Sequence, residues 1–149
     1  MPHVSAHIVV SDAAAACEWY RNAFGASEVQ RVPLPGGGVM TIEIAIGDSR
    51  VHLGSEFPDA GILSPLSIGG TATVLQIDTD DADELWARAV DAGAQVHHPL
   101  ADQFWGERHG QITDPYGHRW NIAQRIREVS AEELAAGAAA AFGGEPAAS

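Results

Sequence analysis

The sequence has a single cysteine, few basic residues and no long apolar run. Cys17 cannot form an internal disulfide bond, and one thiolate cannot build a zinc site of several cysteines. No apolar stretch is long enough to cross a bilayer, and the residues after Met1 do not have the pattern of a leader peptide. We therefore expect a cytoplasmic protein that does not contact a membrane.

Basic residues are scarce, with 8 Lys and Arg against 20 Asp and Glu, so the formal net charge is −12. A negative field of this size repels phosphate backbones, and we expect no binding to nucleic acid. The same field would attract a cationic small molecule, although an acidic surface also serves solubility alone. The chain has 149 residues, 46% of them hydrophobic, which suits one domain with its own core.

The chain repeats one pattern, which is a strand, a helix and three further strands. Asp12 and Asp80 lie at the starts of the two predicted helices, and Gly25 and Gly93 follow their ends at the same spacing. Neither half is large enough to bury both faces of its sheet alone. The sequence therefore predicts an α+β fold in which two βαβββ modules form a curved, partly open mixed sheet around a cleft, with a short C-terminal helix.

The predicted boundaries follow the composition of the chain. Residues 1–126 form a single domain, whose modules cover about 4–56 and 71–126. The segment 57–70 is rich in Pro and Gly and is predicted to be a linker. Residues 127–149 are predicted to form the C-terminal helix and a flexible tail.

Alternation along the predicted strands places polar side chains on one face of the sheet. In a curved sheet this face lines a pocket, where converging polar groups fix a ligand. In a flat antiparallel sheet it is only the hydrated face. The polar residues predicted on this face are Ser5, His7, Glu43, His52, Gln76, Gln111 and Asn121.

One stretch, Ala101–Gly110, is especially rich in aromatic and hydrogen-bonding side chains and is predicted to contain a loop before the last hairpin. The hairpin itself is predicted from Asp114–Gly117, where Asp, Pro and Gly occupy the positions that a type I turn favours. Trp105 in this loop could stack on a planar or cationic ligand. The alternative is that Trp105 serves as a lid or as a contact between two subunits.

Several stretches together match the pattern of a known family: His7–Asp12, Glu18–Tyr20 with Ala23–Ala26, Ile46–Ser49, Ala101–Gly110 and Asp114–Trp120. They resemble the vicinal-oxygen-chelate superfamily, which includes glyoxalase I, bleomycin-resistance proteins and extradiol dioxygenases. The likeness is greatest to the PhnB-like branch, and it covers about residues 4–126. This superfamily contains lyases, dioxygenases, isomerases and pure binding proteins, so the resemblance implies a fold and not one activity.

The resemblance also implies where a metal would bind, because the metal enzymes take ligands from the first and last strands of each half. The corresponding positions are Ser5, His52, Val74 and Asn121. Val74 cannot ligate a metal, and only His52 is a good ligand. We therefore expect no resident cofactor. The alternative is a divalent metal held at a rearranged site of His7, Glu43 and His52.

The leading prediction is a small-molecule binder of the bleomycin-resistance type, which would sequester a drug or a metabolite. Glu43 would hold a cationic group of the ligand, and Trp105 would stack on an aromatic ring. The pocket would lie on the concave face of the sheet. The predicted ligand-binding residues are His7, Glu43, His52, Gln103, Trp105, Arg108 and Asn121.

Two enzymatic alternatives stay open. One is a metal-dependent lyase resembling glyoxalase, or a dioxygenase, in which His52 with His7 or Glu43 holds a metal that polarises the substrate. The other is a metal-free enzyme with His7 or His52 as a general base. The resemblance further implies a homodimer, because pairing would bury exposed strand edges and apolar patches.

Overall fold

The computed structural model describes residues 1–143 of the chain. The first module consists of β1 (Ala6–Val10), α1 (Ala13–Phe24), β2 (Ser27–Pro33), β3 (Val39–Ile46) and β4 (Ser49–Ser55). The connecting segment contains a 3-10 turn (Pro58–Ala60) and the short helix α2 (Pro65–Ile68). The second module consists of β5 (Val74–Asp78), α3 (Ala82–Asp91), β6 (Gln95–Asp102), β7 (Glu107–Thr113) and β8 (Arg119–Arg125). Helix α4 (Ala131–Phe142) follows, and the end of the predicted flexible tail lies outside the described residues.

The strands of the described residues form two open sheets of four strands, with the orders β1-β4-β3-β2 and β5-β8-β7-β6. In each sheet the first strand of the module runs parallel to the last one, and the other neighbours are antiparallel. The predicted α+β fold of two βαβββ modules with a C-terminal helix is confirmed. No helix within residues 1–143 is long and apolar enough to cross a membrane.

Helix α1 has the caps that its sequence predicts. The Asp12 carboxylate accepts a hydrogen bond from the Ala15 amide at 3.1 Å, and Gly25 ends the helix in the left-handed conformation with φ 68°. Tyr20 and Phe24 on its inner face are buried. Helix α1 contacts strands of the first sheet and also α3, which packs on the second sheet. One face of each sheet is therefore covered by a helix, and both modules contribute to a single core.

A buried carboxylate joins the two modules. Asp114 lies in the turn between β7 and β8 and is only 4% exposed. It accepts hydrogen bonds from the Tyr20 hydroxyl of α1, from Trp120 Nε1 at 2.9 Å, and from the backbone amides of Tyr116 and His118 at 2.8 and 3.0 Å. Burial raises the pKa of Tyr20 well above its usual value, and the Asp114 carboxylate raises it further. Tyr20 therefore stays protonated and acts as a donor.

Further hydrogen bonds cross between the modules, among them one from Arg88 Nη2 of α3 to the Asn22 carbonyl oxygen of α1 at 3.0 Å. The His118 ring nitrogen Nε2 lies 2.7 Å from the Val9 carbonyl oxygen in β1. Trp19 Nε1 of α1 donates to the Ala92 carbonyl oxygen at 2.8 Å, at the end of α3. With the Asp114 contacts, the His118 bond ties the turn of the second module to the first module, whereas the Trp19 bond joins α1 to the end of α3.

The stretch before the last hairpin contains less loop than the sequence analysis predicts. Strand β6 continues to Asp102 and β7 begins at Glu107, so only residues 103–106 form a turn. Strand β6 contains Pro99, and its pairing register shifts between His98 and Ala101. Because β6 is an edge strand, it tolerates a proline and a bulge and still pairs on both sides of them.

Replacing Asp114 tests the connection between the modules. We expect Asp114→Ala to lower the free energy of unfolding by about 3 kcal/mol or more, because it leaves several buried donors without a partner. Tyr20→Phe removes one donor only and should lower it by about 1 kcal/mol. Urea denaturation of both variants measures the difference. Equal losses in the two variants would contradict the central role of the carboxylate.

Candidate functional site

Each sheet has one face covered by a helix and one open face. On the open face of the first sheet, the strand register places in one row His7, His52, Glu43 and Gln30, which we call the first row. On the open face of the second sheet, the equivalent positions form the second row: Gln76, Asn121, Gln111 and His98. The repeat in the sequence therefore produces two equivalent rows with different side chains.

The first row contains ionisable groups. The half-buried Glu43 carboxylate accepts a hydrogen bond from Arg50 Nη1 at 2.8 Å, and its other oxygen lies 3.9 Å from His52 Nδ1. This second distance is too long for a hydrogen bond but short enough for electrostatic attraction to a protonated imidazole. The His7 and His52 rings are nearly parallel, with centroids 5.9 Å apart. Glu43 therefore lies between a guanidinium and an imidazole.

A glycine that the sequence analysis did not single out makes room for His7. Gly54 is buried in β4, and a Cβ atom at this position would lie 2.7 Å from His7 Nε2. The imidazole therefore occupies the space that a side chain at position 54 would need. A glycine inside a predicted strand is the signal that points to such a close approach.

Three members of the second row form a chain of side-chain amides, and His98 lies at the end of the row. Gln111 Nε2 donates to Asn121 Oδ1 at 2.8 Å, and Asn121 Nδ2 donates to Gln76 Oε1 at 3.4 Å. Gln76 Nε2 in turn donates to Asp78 Oδ1 at 3.0 Å. Primary amides keep further donors and acceptors, so this row can bind uncharged polar groups of either kind.

Gln103 and Trp105 lie in the turn between β6 and β7. The backbone amide of Gln103 donates to the Glu107 carbonyl oxygen at 2.8 Å and closes the turn. Trp105 Nε1 donates to Glu107 Oε1 at 2.6 Å. The Trp105 ring stands edge-on to the ring of His109, with centroids 5.3 Å apart, and His109 shares the open face with Gln111. Trp105 therefore lies beside the open face of the second sheet.

The structure does not bring Arg108 to either open face. Its neighbour in β7, His109, lies on the open face, so alternation turns Arg108 towards the helix. There it donates to Asp102 at 2.8 Å and to Asp83 of α3 at 2.9 Å. The hydrogen bond from Arg108 lowers the pKa of Asp102. The guanidinium thus links β6, β7 and α3, and two carboxylates of the chain already bind it.

A groove of about 1100 Å³ lies between the modules. Its lining includes the apolar side chains of Phe24, Leu75 and Trp120. Of the predicted ligand-binding residues, all of which the structure describes, Glu43 and His52 line this groove and the others do not. The remaining charged and titratable residues of its lining are His3, Asp48, Arg50, Asp78, Glu84 and Arg88.

The rearranged metal site does not fit the observed geometry. In the described part of the chain, no three side chains of His, Cys, Asp or Glu lie in an arrangement that could hold a metal ion. One oxygen of Glu43 is bonded to Arg50, and His7 Nε2 lies over Gly54. A catalytic metal usually needs about three such ligands converging on one point. The side chains of His7, Glu43 and His52 therefore do not form a ligand set for a metal-dependent reaction.

Gly54→Ala tests the placement of His7. Because the clash involves the end of an exposed side chain, we expect the free energy of unfolding to change by less than about 0.5 kcal/mol. The imidazole itself must move, so the NMR signals of the His7 ring should shift. The signals of His98, on the other sheet, serve as the control. Unchanged His7 signals would contradict the close approach of this ring to β4.

The comparisons with known proteins agree with this architecture. A sequence model of the Glyoxalase/Bleomycin resistance protein/Dioxygenase superfamily matches residues 1–122. An uncharacterized protein of Mycobacterium tuberculosis H37Rv is 39% identical over 138 residues, which are 91% of this chain and 81% of that protein.

Solved structures show the same fold at lower identity. TioX from Micromonospora sp. ML1 has a TM-score of 0.65 and 23% identity, with 87% of this chain and 100% of that chain covered. TnmS3, an antibiotic binding protein from Streptomyces sp. CB03234, has a TM-score of 0.63 and 23% identity, with 84% and 97% covered. The sequence match, together with the two βαβββ modules, establishes that the chain belongs to the glyoxalase/bleomycin resistance protein/dioxygenase superfamily.

Proposed function

We propose that this protein binds a small organic molecule with a cationic group and an aromatic ring, and sequesters it as a drug or a metabolite. The observation that carries the proposal is the half-buried carboxylate of Glu43 in the lining of the groove between the modules. The groove volume of about 1100 Å³ is slightly above the usual range for small-molecule sites, so the groove has room for such a ligand.

Both parts of such a ligand find complementary groups in the groove. The half-buried side chains of Ile46, Leu75 and Ile77 provide apolar surface for a ring, whose burial would supply most of the binding free energy. Glu43 and His52 provide polar contacts that would fix the orientation of the ring.

The ion pair between Glu43 and Arg50 is weak enough for a ligand cation to take the place of Arg50. The Arg50 side chain is 51% exposed, so this pair contributes little to stability and is screened by salt. A ligand cation would replace Arg50 at the carboxylate and form a charge-assisted hydrogen bond in its place. The net charge of −12 would also raise the local concentration of cations.

The proposal extends to a homodimer. The edge strands β2 and β6 carry the exposed side chains of Val32 and Val96, and pairing of two copies would bury such groups. The open face of the second sheet of one copy, with Asn121, would then contribute to a ligand site shared with the partner. The adjacent turn, with Gln103 and Trp105, would contribute to the same site. Membership of the PhnB-like branch and a cytoplasmic location likewise stay predictions.

The structural neighbour TnmS3 supports binding as the activity, since it is an antibiotic binding protein with the same fold. A second candidate function is metal-free catalysis, in which His52 removes a proton from the ligand. The position of His52 in the lining of the groove supports it, because a general base must lie within reach of the bound ligand.

Glu43→Gln tests the cation site. With the planar cationic dye proflavine as the probe, we expect about tenfold weaker binding, because one charge-assisted hydrogen bond is lost. Fluorescence titration measures the dissociation constant. Glu28→Gln is the matched control, since Glu28 also pairs with an arginine, Arg31, but does not line the groove. An equal loss in both variants, or no binding by the wild-type protein, would contradict the proposal.

Metal loading separates binding from the metal-dependent alternative. After exposure of the untagged protein to zinc, nickel, manganese and iron(II), we expect elemental analysis to find well under one metal ion per chain, because the candidate ligands do not converge. Stoichiometric metal that disappears in His52→Ala would instead support a metal-dependent lyase or dioxygenase.

A further inference from the structure

Helix α4 lies beyond the family-matched residues and docks on the turn that carries Trp105. Its contact is with Phe104: a Cβ atom on Gly137 would lie 2.6 Å from Phe104 Cγ and 2.8 Å from Phe104 Cβ. Gly137 and Ala138 are half-buried, whereas the other residues of the helix are exposed. The contact between the Phe104 ring and Gly137 therefore fixes where the helix packs on the turn.

The backbone of the same turn is held by the last residue of β8 and by the segment that leads from β8 into α4. Arg127 Nη2 donates to the Phe104 carbonyl oxygen at 3.1 Å, and Arg125 Nη1 donates to the Trp105 carbonyl oxygen at 2.8 Å. The Gly106 carbonyl oxygen accepts from the Arg127 amide at 3.2 Å. Arg127 also pairs with Glu133 of α4 at 3.2 Å, which connects the turn to the first turn of the helix.

The position of Phe104 affects its neighbour. The rings of Phe104 and Trp105 are perpendicular, with centroids 5.1 Å apart. On its other side, Trp105 contacts His109 of the open face. Trp105 is therefore held between the ring that α4 contacts and the face to which we assign part of the ligand site.

We propose that helix α4 is a strap that positions Trp105 as a stacking wall for an aromatic ligand, and that Gly137 is the positioning residue. This inference rests on the proposed binding function and on the proposed homodimer, since Trp105 does not line the groove of its own chain. It gives the C-terminal helix a role that neither module supplies, since Gly137 of the helix contacts the Phe104 ring, and Arg127, which pairs with Glu133 of the helix, donates to the Phe104 carbonyl oxygen.

The composition of the helix supports the role of Gly137. Apart from this glycine, positions 135–141 are all alanine, the best helix former. A glycine in a helix interior is less favourable than alanine, because it loses more backbone freedom on folding. The one position without a side chain is the one that faces Phe104, where a methyl group would clash. Helix propensity therefore favours Gly137→Ala, whereas the packing against Phe104 opposes it.

The test uses the full chain labelled with 5-fluorotryptophan. Fluorine NMR gives a signal for each tryptophan, and Trp105→Phe assigns that of Trp105. We expect Gly137→Ala to shift or broaden the Trp105 signal while the signals of Trp19, Trp86 and Trp120 stay unchanged. Gly137→Ala and Trp105→Ala should each weaken proflavine binding by about tenfold, since a stacking contact contributes on the order of 1.4 kcal/mol.

Two control variants separate positioning from general effects on the helix. Ala136→Gly changes helix propensity at an exposed position and should leave the Trp105 signal in place. Phe104→Ala removes the ring, so adding Gly137→Ala to it should cause no further change in the signal. An unchanged Trp105 signal in Gly137→Ala overturns the positioning role.

The proflavine titrations distinguish the remaining outcomes. A shifted Trp105 signal with unchanged affinity in Gly137→Ala overturns the role of the strap in binding. A shifted signal in a protein that binds no proflavine overturns the proposed function, and the stacking role with it, while the contact between the strap and the turn stands.

Discussion

The relative position of the two modules depends on the buried carboxylate of Asp114. A carboxylate removed from water is strongly destabilising unless hydrogen bonds replace its hydration. Here the Tyr20 hydroxyl of the first module and groups of the second module supply those bonds together. Trp120 both donates to Asp114 and lines the groove, where it contacts Phe24 with ring centroids 4.9 Å apart. The shape of the groove therefore depends on the hydrogen bonds that the buried Asp114 carboxylate accepts.

The two modules share a backbone pattern but offer different chemistry. The first row, with His7, His52 and Glu43, contains groups that carry charge, whereas the second row contains neutral amides such as Asn121 and Gln111. A ligand that used both faces would need a cationic part and an uncharged polar part. The modules therefore share one fold, while the side chains at equivalent register positions give their open faces different chemistry.

The contacts of Arg108 show where sequence reasoning reaches its limit. The composition of residues 101–110 predicts a loop, in which strand alternation does not apply, and Arg108 is expected among the ligand-binding residues. In the structure β7 begins at Glu107, and strand alternation turns the guanidinium towards Asp83 of α3. By contrast, regular alternation in β1, β3 and β4 predicted a shared face for His7, Glu43 and His52, and the register places them in one row.

The sequence by itself determined the repeated order of helices and strands, the helix caps and the polar face of each sheet, because these depend on residues close together in the chain. Only the tertiary structure decided that Gly54 makes room for His7, that Asp114 binds Tyr20 and that Gly137 seats Phe104. Each of these pairs joins residues far apart in the sequence. Their contact follows from how sheets and helices pack, which no local pattern of residues specifies.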